Sequence, residues 1–116
     1  MSQNDHLYRF LFEGAEVRGE LVQLNNTYAE LTRRADYPAP VRDLLGRALA
    51  AAALLTATIK FRGRLTLQVQ GGGPVNLLVI QASSDGNLRG MARYEGRPEA
   101  DGDIRSLCAE GTMAIT

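Results

Sequence analysis

RALAAAALLTATIKF, residues Arg47–Phe61, contains a run in which Thr56 and Thr58 are the only non-apolar side chains between Ala48 and Ile59. Ala and Leu are the strongest helix formers, so the run reads as helix. A helix apolar on every side either crosses a membrane or lies inside protein. Crossing needs roughly 18 or more apolar residues, and Arg47 and Lys60 bracket far fewer. The helix is therefore expected to be buried. Its many alanines let other layers approach from more than one direction, and the simplest way to cover it is a sheet on each side. The expected fold is α+β: a three-layer β/α/β arrangement with a buried central helix.

Upstream, the one-sided pattern Val41, Leu44, Leu45, Ala48 and Leu49 extends this helix back to about Pro40, a residue tolerated in a first helical turn. Before it, NNTYAELTRRADYP predicts a shorter helix with Thr27 as N-cap and Glu30 completing a capping box. Pro38 ends that helix. Further back, LYRFLFEGAEVRGELVQL alternates as a pair of strands, with Gly14 at the bend.

Downstream the period becomes two. RLTLQVQ places Leu65, Leu67 and Val69 on one face. GGGP turns the chain into VNLLVIQ, where Val75, Leu77 and Val79 are expected inward and Leu78 and Ile80 outward. SSDGN is a hairpin turn of the Asp-Gly kind, and LRGMARYEG is a further strand of the antiparallel meander. ADGDIRSLCAEG reads as a turn and short helix with Asp103 as cap, and TMAIT as the start of one more strand.

Thirteen basic and 13 acidic residues give zero formal charge, so no overall field draws the chain to a polyanion or a membrane surface. The length fits one domain. Cys108 is the sole cysteine, which excludes an internal disulfide and a four-cysteine metal site and suits a reducing, cytoplasmic compartment. The opening MSQNDHLYRF carries Asp5 and no basic-then-apolar run, so it does not read as a secretory signal.

Motifs with chemical potential resolve into plainer readings. QGGGPVN is followed by a strand and contains no Lys-Ser or Lys-Thr pair, so it is a turn rather than a phosphate cradle. His6 has no second histidine and no cysteine nearby, and Cys108 sits near Glu110, whose charge does not favour a thiolate. The carboxylates show no converging pair, and nothing in the spacing is catalytic. Arg62, Arg64, Arg89, Arg93 and Arg97 fall on or beside the C-terminal strands; the alternative to a solvated sheet face is a nucleic-acid-binding sheet, for which Tyr94 is the single stacking candidate. Leu78, Ile80 and Met91 are read together as an outward apolar surface, facing a client protein, a second copy or a missing part of the protein.

Six segments, HLYRFLFE, VRGELV, DYPAPV, LLTATIKFRG, LQVQGGGPVNLLV and LRGMAR, stand in this order along the chain. As a set the chain resembles the 33 kDa heat-shock chaperonin family, the redox-regulated holdase chaperones of bacteria. The resemblance covers essentially all 116 residues but only the N-terminal part of the family's longer chain. It implies a non-enzymatic, cytoplasmic stress protein that binds unfolding client proteins and prevents their aggregation, generally as a homodimer, with no nucleic-acid or membrane partner. It also implies that residues 1–116 are a truncated N-terminal client-binding and dimerisation domain. Zinc, held in that family by four C-terminal cysteines, has no ligands in this chain, since Cys108 matches none of them.

Overall fold

A computed structural model describes residues 5–58, 62–96, 107–108 and 111–116. Strands β1 (Asp5–Phe12) and β2 (Val17–Leu24) form an antiparallel hairpin, followed by helices α1 (Asn25–Arg34) and α2 (Ala39–Thr58). Strands β3 (Arg64–Gln70), β4 (Val75–Ser83), β5 (Leu88–Tyr94) and β6 (Thr112–Ile115) make a second antiparallel sheet in the order β5-β4-β3-β6. α2 packs against β4, β5 and, more lightly, β3, and β2 lies against it as well. Sheet, helices and hairpin form the three layers expected of this α+β chain.

The core joins Val41, Leu44, Leu45, Leu49 and Ala52 of α2 to Leu67, Val69, Val75, Leu78, Ile80, Ala82 and Ala92 of the sheet. Alanine at positions 52 and 53 brings the α2 backbone close to the strands, as the small-residue pattern requires. Burial is not complete round the helix, however. Ala51 is exposed, and Ala50, Leu54, Leu55 and Ala57 are half-buried. A two-stranded hairpin is narrower than the helical surface it faces, so it covers only part of it.

The first helix departs from its expected start. It begins at Asn25, with Leu24 at the cap position and no side-chain cap bond from that residue. The orphan N–H groups are instead met by Asp5, twenty residues upstream on β1. Its Oδ1 accepts from the backbone N–H of Asn26 at 3.0 Å and of Thr27 at 3.4 Å, and the Thr27 hydroxyl donates to Oδ2. Thr27 thus takes part in capping as a donor to Asp5, while Glu30 pairs with Arg33 at 3.1 Å. Asp103, the proposed cap near the C-terminus, and Lys60, the expected end of α2, lie outside the described residues; Leu107 and Cys108 are helical.

The β4 register corrects a second expectation. Val75 pairs with Tyr94 and Leu77 with Arg93, so Asn76 is an extra residue, a β-bulge. Val75 faces inward, but one additional residue reverses the alternation beyond it. Leu78 and Ile80 consequently point into the core with 0 % exposure each, and Leu77 and Val79 point outward, half-buried. The backbone N–H of Gly71 donates to the Asn76 carbonyl at 3.1 Å, tying the bulge to the glycine turn.

Candidate functional site

Large apolar side chains are exposed on two surfaces, and singly at Leu11 on the other face of the hairpin and at Met113 and Ile115 on the edge strand β6. The first is the outer face of the four-stranded sheet. Met91 stands opposite Val79, Leu77 lies opposite Arg93, and Gln81 lies opposite Arg89. Of the three residues expected outward, only Met91 is there, 39 % exposed; Leu78 and Ile80 are core residues. The apolar row is Leu77, Val79 and Met91, flanked by Arg89 and Arg93. Its signal in the sequence is the two-sided apolar strand VNLLVIQ, whose facing the bulge then decides.

Among the described residues no aromatic ring is placed on this face beside the arginines. Tyr94 pairs with Val75 and so lies on the inward side; its ring centroid is 6.2 Å from that of Tyr37, and its hydroxyl donates to the Asp36 carbonyl. Arg97 lies outside the described residues.

The second surface is the β1–β2 hairpin, whose alternating register sorts its side chains. On one face Leu7 pairs with Val22, Arg9 with Glu20, and Leu11 with Arg18. This face turns its charges toward α2: Arg9 donates to the Ala57 carbonyl at 3.2 Å, and the Thr58 hydroxyl donates to Glu20 at 3.0 Å. Arg9 and Glu20 also form an ion pair at 3.6 Å. On the other face Tyr8 pairs with Leu21, Phe10 with Gly19 and Phe12 with Val17. These aromatics are turned to solvent, with Tyr8 49 %, Phe10 44 % and Phe12 57 % exposed.

The outer face is ordered by its own contacts. The Phe10 ring covers Gly19 so closely that a side chain there would overlap it, and Phe10 and Phe12 meet edge-on with centroids 5.7 Å apart. A ring over a cross-strand glycine protects backbone that would otherwise be bare. His6 stacks on Tyr8, 5.9 Å between centroids. The sequence shows the alternation of Tyr8, Phe10 and Phe12, but not that no layer of the described residues lies over this face.

Groups with reactive potential are placed as structural parts. Cys108 is buried and free, and burial pushes its thiol up from the ordinary range, against thiolate formation. Among the described residues no three of His, Cys, Asp and Glu gather where they would hold a metal. Gly71, at the start of the glycine run, and Gly111 serve packing: a Cβ on Gly71 would overlap the carbonyl of Cys108, and one on Gly111 would lie 2.8 Å from the Gln70 carbonyl oxygen. No helix of the described residues is long and apolar enough to cross a membrane.

An α+β domain with apolar side chains turned outward on two layers carries the kind of surface that marks a contact site, whether for another polypeptide, a membrane or a ligand. The particular family is shown by comparison with known proteins. The family model described as Hsp33 protein matches residues 5–116, and the chain belongs to that family. It is 53 % identical over 113 residues to a 33 kDa chaperonin of Photobacterium profundum, covering 97 % of this chain and 39 % of the relative. Against the 33 kDa chaperonin of Aeromonas salmonicida it is 53 % identical over 116 residues, covering 100 % of this chain and 40 % of the relative. A third relative of the same name, from Cronobacter sakazakii, is 47 % identical over 116 residues. The chain thus spans about two fifths of the length of these relatives.

Proposed function

We propose that these residues form the N-terminal part of a holdase chaperone, which captures unfolding proteins under heat or oxidative stress and keeps them from aggregating. The observation that carries this reading is the outward placement of Tyr8, Phe10, Phe12, Val17, Leu21 and Met91 on the outer layers, without a covering layer among the described residues. Exposed apolar segments of an unfolding chain remove such surface from water without any covalent step. Family membership, and the name 33 kDa chaperonin carried by the relatives, support the same class of activity.

Capture of this kind is passive, so no enzymatic step is assigned. A cytoplasmic location and a homodimeric active form accompany the proposal. Cys108 is the one cysteine of these 116 residues and is buried, so they do not by themselves supply a four-thiolate zinc site or a disulfide switch. Light scattering from a thermally unfolding client tests the reading under reducing conditions without added zinc. Suppression at near-stoichiometric amounts of this chain is the expected result; full aggregation beside a folded chain would place capture elsewhere.

A further inference from the structure

We propose that the outer face of the β1–β2 hairpin is a docking strip for short apolar polypeptide segments flanked by Lys or Arg. The proposal rests on the holdase reading and names the chemistry of the segment this strip selects. Five side chains carry it: Tyr8, Phe10, Phe12, Val17 and Leu21, each between 44 % and 57 % exposed. They fall on one face of the hairpin by register. With aromatic side chains of about 150–250 Å² each, they present roughly 400–500 Å² of apolar surface. That is the size of patch that marks a partner site on a soluble domain, at roughly 300–600 Å². It is little more than half of the roughly 800 Å² per side of a stable dimer, which argues for a peptide rather than a second copy as occupant.

Length and charge narrow the occupant further. From Tyr8 to Phe12 a strand advances about 14 Å, so the strip matches about five extended residues. Glu13 and Glu16 stand exposed at the tip, immediately beyond the Phe12–Val17 pair, and neither has a cationic partner among the described residues. The hairpin's own cations, Arg9 and Arg18, occupy the opposite face, and Arg9 is engaged with Glu20 and Ala57. The apolar strip therefore ends in uncompensated negative charge. A segment whose apolar run stops at Lys or Arg places its cation there; one stopping at Asp or Glu meets repulsion.

The test uses two fluorescein-labelled peptides with the same five-residue apolar run, one followed by three lysines and the other by three glutamates. Anisotropy is measured with the 116-residue chain, whose fold is checked by circular dichroism. The lysine peptide is expected to bind about three- to ten-fold more tightly at low salt, the range exposed ion pairs give. About 0.5 M salt removes most of the difference. Glu13→Gln with Glu16→Gln erases the preference while leaving apolar binding, and Phe10→Ser with Phe12→Ser weakens both peptides. Equal binding of the two peptides, or a preference intact without the two glutamates, would overturn the proposal. So would aggregation suppression unaffected by the double serine variant, which would leave the holdase reading standing; loss of suppression by the unaltered, folded chain would remove that reading itself.

Discussion

Met91 pairs across the sheet with Val79, not with Leu78 or Ile80, because Asn76 bulges out of β4 and shifts the facing of the strand beyond it. Energetic consequences separate the two sets. Leu78→Ala and Ile80→Ala each leave a cavity in a core where neither side chain touches water, and each should lower stability by about 2–5 kcal/mol. Met91→Ser and Val79→Ser should cost far less, within about 1 kcal/mol for Met91. Urea unfolding of the four variants measures this. Similar losses at Leu78 and Met91 would contradict the assigned facing.

Asp5 binds the hairpin to the start of α1 by accepting from Asn26, Thr27 and the Thr27 hydroxyl. Asp5→Ala removes the acceptor from N–H groups that α1 cannot itself satisfy, at a cost of about 1–2 kcal/mol. Asp5→Asn keeps one carbonyl acceptor and should lose less. In thermal melts the alanine variant is expected to fall by about 4–8 °C per kcal/mol. Equal melting temperatures for alanine and wild type would mean that solvent caps the helix as well as the carboxylate does.

Gly71 passes against the backbone of Cys108, and the obstacle to a side chain there is main chain rather than a movable side chain. Gly71→Ala should therefore destabilise by about 1–3 kcal/mol, the range found for overpacked sites. Gly19→Ala meets only the exposed Phe10 ring, which can swing away, so its effect on stability should be small. Chemical denaturation of the pair decides whether Gly71 is a packing device.

Cys108 should react slowly with a thiol reagent in the native chain and quickly once unfolded, because burial raises its pKa. The pH dependence has a definite sign. Above the ordinary thiol pKa the unfolded state loses its proton first, so Cys108 lowers stability as pH rises through the alkaline range, and a Cys108→Ala variant lacks that contribution. Rapid labelling at neutral pH without unfolding would contradict the burial.

Asp85 offers the opposite sign. Hydrogen bonds from Ser83, and then from Asn87, hold its carboxyl below the usual carboxylate range in the β4–β5 turn. The turn contribution is complete above the unfolded value near 3.8 and fades as pH falls through the lower folded value. Carboxyl titration followed by NMR should find Asp85 ionised at a lower pH than in the Ser83→Ala variant; coincident titrations would remove Ser83 as the cause.

Local periodicity was sufficient for the kinds of element and their order. The apolar helix around Ala48–Thr58, the alternating RLTLQVQ and the SSDGN turn each carry their structure within a few residues, because helix and strand repeat over that range. The segments that reveal the family are equally local. Tertiary structure decided what depended on distant or compensating contacts. Asp5 became the cap of α1 because the hairpin folds it against Asn26, a partner that no capping pattern near Thr27 contains. The outward apolar row became Leu77, Val79 and Met91 because one bulged residue inverts every side chain after it, and a period-two reading has no term for an insertion. The partial burial of α2 has the same origin: composition shows that the helix is apolar, but only the width of the layer packed on it determines how much of that surface is covered.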